Sequence, residues 1–218
     1  MNRAPLRFFF DYVSPYSYLA WTQLPALAAR HGRTVELLPV LFAGVLNTLG
    51  TTGPAEVKQK RFYIYKHTRR IAHELGVPFV MPAAHPFNPL LALRVTAAVQ
   101  DGEARHRLVS ALYAAAWGGG GGLLQPERVG EVVASVGFDA QALLAASQTP
   151  AVKDQVRRNT EELLALDGFG VPTIVVDGEL FFGVDSLSHL ERFLRGEDPL
   201  SREELERLKN LPVAASRI

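Results

Sequence analysis

Two short stretches carry residue types that could do chemistry. Ser14-Pro15-Tyr16-Ser17 sets two hydroxyls three residues apart, just after the apolar run Phe8-Phe9-Phe10. Val171-Pro172-Thr173 sets a proline ahead of a β-branched run near the other end of the chain. Serine followed by proline is a helix-start signal: the serine oxygen caps free backbone N–H groups, and proline suits the first helical position, where no N–H is needed. The Ser14 hydroxyl is therefore expected at the positive end of a helix and at the carboxyl end of a buried strand, where α/β folds commonly place reactive groups. On this stretch alone, capping suffices to explain it. The chain has 0 cysteines, which excludes disulfides, cysteine nucleophiles and thiolate metal sites. Any thiol chemistry must use a borrowed thiol. The 6 histidines, His67, His73 and His85 among them, form no catalytic or metal-ligand pattern, and no metal site is expected.

These residues need a scaffold, and composition bounds it. With 218 residues the chain suits one domain, or one domain carrying a large insertion. Lys plus Arg is 23 against 22 for Asp plus Glu, so charge points to neither nucleic acid nor an anionic membrane as partner. The N-terminus shows no basic region followed by an apolar run and a cleavage site, and no apolar segment is long enough to span a bilayer. A cytoplasmic location is expected.

In chain order, a first strand runs into a helix from Tyr16 to Arg30, kinked at Pro25 and ended by His31-Gly32. Thr34 to Leu41 reads as a second strand, parallel to the first, with Pro39 placing it near a sheet edge. Phe42 to Pro54 reads as a loop at the mouth of the sheet. Helical spacing then holds for about half the chain. Val57, Ile64, Thr68, Ile71 and Leu75 form an apolar stripe on a helix made basic by Lys58, Lys60, Arg61, Lys66, Arg69 and Arg70. Asn88-Pro89 and Thr149-Pro150 repeat the Ser14-Pro15 device, and further helices are expected at Glu103 to Ala116, Pro126 to Val136 and Asp139 to Ala146. The run Gly118 to Gly122 is expected to be a mobile connection, or a lid if it lies beside a site. Strand signal returns at Val171 to Val176, followed by an Asp177-Gly178 hairpin turn and Leu180-Phe181-Phe182. Asp185 or Ser186 caps a helix, and Ser201 with Glu204 makes a capping box for the last one.

This order resembles a thioredoxin-like α/β fold, β-α-β then β-β-α, with a large all-helical insertion: residues 1–42 and 168–218 would form the thioredoxin-like domain and 43–167 the inserted helical domain. In that fold a cis proline precedes the third strand and faces the start of the first helix, the place taken here by Pro172. The Cys-x-x-Cys that commonly opens that helix is replaced by Ser14-Pro15-Tyr16-Ser17. Phe10 to Ala20 (FDYVSPYSYLA), Phe169 to Thr173 (FGVPT) and Phe181 to Leu187 (FFGVDSL) together resemble the glutathione-dependent 2-hydroxychromene-2-carboxylate isomerases, with the kappa-class glutathione transferases as close relatives. Element order carries the resemblance over nearly the whole chain, and the sharp motifs lie in its two ends.

The resemblance implies glutathione as cofactor. Val171, freed by the neighbouring cis Pro172, would pair with the cysteinyl unit as an added strand does. The γ-glutamyl carboxylate would meet N–H groups near Gly183, Val184, Asp185 and Ser186, and Asp185 would accept from the ligand's ammonium group. Ser14 would donate to the glutathione sulfur and hold it as thiolate rather than act as nucleophile. The implied reaction converts 2-hydroxychromene-2-carboxylate to trans-o-hydroxybenzylidenepyruvate, a step of naphthalene-type aromatic catabolism. The small aromatic carboxylate would lie against Tyr16, Phe42, Gly44, Val45 and Asn88, with Lys58, Lys60 or Arg61 meeting its carboxylate. Ala43-Gly44-Val45 offers no polar side chain for that purpose. Relatives of this kind are homodimers, so a homodimer is implied. Two other readings stay open: a kappa-like transferase conjugating electrophiles, and a non-catalytic thioredoxin-like module binding a partner along the Val171 edge.

Overall fold

Phe8, Phe9 and Phe10 alternate across the first strand, and both faces of that strand are covered. In the computed structural model, which describes residues 3–100 and 102–214, β1 (Leu6–Phe10) pairs in parallel with β2 (Val35–Pro39) after the helix α1 (Pro15–Arg30). Phe8 and Phe10 stack at 5.2 Å on one face, against Trp21 and Tyr113. Phe9 points to the other face with Leu38, Val40 and Leu163. A strand buried on both faces reads as a continuous apolar run rather than an alternating one. β3 (Thr173–Val176) and β4 (Glu179–Phe182) complete a sheet of order β2-β1-β3-β4, with β3 antiparallel to both neighbours. Asp177 and Gly178 both take positive φ, as the two-residue turn between them demands. The thioredoxin-like expectation holds, and β2 is an edge strand as Pro39 implied.

Helices fill the chain between β2 and β3. Phe42 to Leu49 is not the expected loop but a helix, α2 (Phe42–Leu49), closed by Gly50 at φ 62°. Its glycine and threonine content hid the spacing Phe42, Val45, Leu46, Leu49, which is helical. There follow α3 (Lys58–Leu75), α4 (Leu90–Ala98), α5 (Gly102–Trp117), α6 (Pro126–Ser135), α7 (Ala140–Ala146) and α8 (Pro150–Ala165). The Asn88 device works one residue later than expected: the helix starts at Leu90, whose N–H is accepted by Asn88 Oδ1 at 3.0 Å. Thr149 precedes α8 but donates its hydroxyl back to Ala146 rather than capping. After β4 a 3-10 turn (Val184–Ser186) leads into α9 (Leu187–Leu194), and α10 (Arg202–Lys209) begins with Ser201 accepting from Glu204 N–H. Among the described residues no helix is long and apolar enough to cross a membrane.

The helices between β2 and β3 cover the outer edge of the sheet. Along β2, His106 donates to the Val35 carbonyl at 3.0 Å, Arg105 to that of Leu37 at 3.3 Å and Asn159 to that of Pro39 at 3.0 Å. Side chains from α5 and α8 thus take the carbonyls that an edge strand would otherwise offer to another chain. The glycine run after α5 is tied down as well. Gly118 and Gly120 donate to Ala114, Gly122 donates to Ala115, and Arg128 donates to the Gly120 carbonyl. A Cβ on Gly120 would sit 2.6 Å from Ala115 Cα, so this run is glycine because the chain folds back onto its own helix. It does not border the cleft described below, which removes the lid reading.

Candidate active site

Strand register brings the two chemically suggestive stretches together. Phe9 pairs with Thr173 in the antiparallel β1–β3 ladder, so the residues after Phe10 and those before Thr173 leave the sheet at the same end. Thr173 in turn pairs with Phe182, which brings Gly183 and the 3-10 turn to that end too. Ser14 there caps α1, accepting the Ser17 N–H at 3.2 Å, and its Oγ donates to the Val171 carbonyl at 3.4 Å. The Val171-Pro172 peptide is cis, as expected, and so is His85-Pro86. Among the described residues the Val171 N–H has no partner, while the Pro172 carbonyl accepts from Gly183 N–H at 2.9 Å. Gly183 has φ 90°, and a Cβ there would strike the Asp185 carboxylate. Ser17, the second hydroxyl of the motif, is fully buried and faces Tyr113 in the core. Only Ser14 of the pair reaches the cleft.

The loop from Asp11 to Ser14 is fastened from three sides. Asp11 is fully buried; one carboxylate oxygen accepts the Val13 N–H at 3.0 Å and the other the Phe42 N–H at 2.9 Å. Burial raises this carboxyl from 3.8 to about 7 despite both hydrogen bonds. Trp117, the last residue of α5, donates its indole N–H to the Tyr12 carbonyl at 2.8 Å. His85 Nε2 donates to the Val13 carbonyl at 2.9 Å, and burial lowers its pKa, which suits a neutral ring in that role. None of these four contacts was legible in sequence. A charged residue ending a wholly apolar strand was the one available signal, for Asp11.

Ser14 opens onto a cleft of about 1510 Å³. Tyr16, Phe42, Val171, Pro172, Gly183, Val184 and Asp185 border it together with Ser14, as does Asp11. Seven residues expected in the site do not. Gly44 and Val45 lie on the buried side of α2, Gly44 towards Thr160 and Leu41, because Phe42, Leu46 and Leu49 turn the other face of that helix to the cleft. Lys60 is exposed on the first turn of α3, short of the cleft wall, and Lys58 and Arg61 are likewise outside it. Asn88 is spent on the Leu90 N–H, and Ser186 donates its hydroxyl to the Gly183 carbonyl. The α3 wall consists instead of Tyr63, Ile64, His67, Ile71, Glu74 and Leu75. His67 stands three residues after Ile64 and four before Ile71, a spacing that puts it at the edge of the apolar stripe and was the one available signal for it. The Tyr16 hydroxyl lies 3.0 Å from His67 Nδ1, and burial, with Tyr63 and Asp185 nearby, raises the phenol above its ordinary value, so it stays protonated. At the rim Phe169 and Phe182 pack with ring centroids 4.6 Å apart.

Sheet, serine-capped helix and opposed proline define a thioredoxin-type protein. The chain belongs to the DSBA-like thioredoxin domain family, whose model matches residues 5–195, and within it to the group of the 2-hydroxychromene-2-carboxylate isomerases. The enzyme of that name from Sphingobium xenophagum is 32% identical over 192 residues, spanning 86% of this chain and 96% of that protein. Human glutathione S-transferase kappa 1 is 26% identical over 200 residues, spanning 85% and 88%. A solved 2-hydroxychromene-2-carboxylate isomerase structure superposes with a TM-score of 0.80 at 28% identity and covers 90% of this chain and 98% of that one.

Proposed function

We propose that this protein is an isomerase that uses glutathione to turn 2-hydroxychromene-2-carboxylate into trans-o-hydroxybenzylidenepyruvate. The observation that carries the reading is the meeting of the Ser14 hydroxyl with the Val171 carbonyl at 3.4 Å, at a helix N-terminus, in a chain with no cysteine. The donor set fits the tripeptide. The Val171 N–H, which has no partner among the described residues, suits the backbone of an extended peptide, as in strand addition. The N–H groups of Val184 and Asp185 suit a carboxylate, and the Asp185 carboxylate suits an ammonium group. When bound, glutathione supplies a thiolate that adds reversibly to a conjugated double bond, lets it rotate as a single bond and leaves unconsumed.

The chain's own residues do the rest. Ser14 exchanges its long hydrogen bond to Val171 for one to the sulfur, and the N-terminal end of α1 favours negative charge there, both of which draw the thiol towards thiolate. Phe42, Leu46, Leu49 and Ile64 supply an apolar wall for an aromatic substrate and exclude water from it. The test follows substrate absorbance with glutathione far below substrate concentration. Turnover beyond one equivalent of thiol supports isomerisation, and formation of a stoichiometric adduct supports the kappa-type transferase instead. Absence of glutathione binding by calorimetry rejects both.

A further inference from the structure

The basic side chains bordering the cleft are Arg30, His67 and His85. Arg30 is paired with Glu191 at 3.0 Å. His85 gives Nε2 to the Val13 carbonyl and sets Nδ1 against Tyr65 at 3.4 Å. His67 is different: Nδ1 meets the Tyr16 hydroxyl at 3.0 Å, and Nε2 has no hydrogen-bond partner among the described residues. A neutral imidazole carries one N–H, and a phenol one O–H. If Tyr16 donates to Nδ1, the Nε2–H of His67 is left over; if Nδ1–H donates to Tyr16, the phenolic O–H is left over. In either tautomer the pair holds one donor that the protein does not use. Both residues are half-buried, with Ile64, Ile71 and Tyr63 beside them on the cleft wall, where a hydrogen bond is stronger than in water. Tyr16 is on the first turn of α1, two residues from Ser14.

We propose that Tyr16 and His67 form one donor unit for the carbonyl oxygen conjugated with the double bond that isomerises. This rests on the function proposed above and names the part of the cleft that handles the substrate's oxygen. When a thiolate adds to the far carbon of a conjugated carbonyl, a carbon–sulfur bond forms and the π pair moves onto the carbonyl oxygen. Reversal breaks that bond and returns the pair. The unit donates to that oxygen throughout and gives up no proton, so its hydrogen bond strengthens as charge arrives and relaxes as it departs.

Tyr16→Phe and His67→Gln, singly and together, test the unit. With 2-hydroxychromene-2-carboxylate, each single change is expected to lower kcat on the order of 10²-fold, with KM little altered and glutathione affinity by calorimetry unchanged. The double variant is expected to be no worse than the worse single one, because the two residues act together. A readout independent of turnover is the absorbance of bound 4-nitrophenol without glutathione. Wild type should hold it as phenolate, and Tyr16→Phe with His67→Gln should abolish that shift. Unchanged kcat, a loss confined to KM, additive losses in the double variant, or a wild-type protein that does not bind the probe as phenolate would each overturn the proposal. Failure of wild type to bind glutathione would strike the proposed function instead, leaving the 4-nitrophenol result to judge the pair.

Discussion

The Asp11 carboxylate accepts the backbone N–H of Phe42 at 2.9 Å, so one buried acid joins the loop that carries Ser14 to the first residue of the helix walling the cleft. Its other oxygen holds Val13 N–H. Asp11→Asn keeps the shape but turns an amide N–H towards one of these two donors. The expected cost is about 1–3 kcal/mol, read by urea unfolding.

The same residue sets a pH dependence. Burial raises its carboxyl from 3.8 to about 7, so the folded chain holds that proton more tightly than the unfolded one. Stability from this source is fully present below about pH 4 and is lost as pH rises through about 7. The gap between wild type and Asp11→Asn should therefore shrink over that interval. Parallel stability curves for the two proteins would contradict the assignment.

Ser14→Ala removes the cap that accepts the Ser17 N–H. The fold should survive at a cost under about 2 kcal/mol, while turnover with glutathione falls by at least about 10²-fold. The ultraviolet absorbance of bound thiolate should vanish with it. Undiminished turnover would exclude Ser14 from the chemistry.

Trp117→Phe deprives the buried Tyr12 carbonyl of its indole donor, at an expected cost of about 1–3 kcal/mol. Amide exchange at Val13 and Ser14 should quicken by more than at Phe8 or Phe9, because the lost bond holds the loop and not the strand. Uniform quickening along the whole segment would show a global effect instead.

Gly120→Ala pushes a methyl to within 2.6 Å of Ala115 Cα and should destabilise by about 1–3 kcal/mol. Since Gly120 lies away from the cleft, activity per folded molecule should not change. A selective loss of activity at full stability would restore a functional role to the glycine run.

Sequence alone was enough for several features whose cause lies within a few residues, though not for α2, whose helical spacing was hidden by its glycine and threonine. The start of α1 at Pro15 follows from Ser14 and proline chemistry, the β3–β4 turn from Asp177-Gly178, and the edge position of β2 from the missing N–H of Pro39. Tyr16, Phe42, Val171 and Asp185 were placed at the cleft by the family resemblance, and all four border it. Only the tertiary structure decided that α2 turns Gly44 and Val45 inward, that the basic residues at the start of α3 miss the cleft, and that His67 meets Tyr16 across 51 residues. It alone also joined Asp11 to Phe42 and Trp117 to Tyr12. The physical reason is range: caps, turns and helical spacing act between near neighbours in the chain, whereas a buried polar group takes whichever partner packing brings within 3 Å or so.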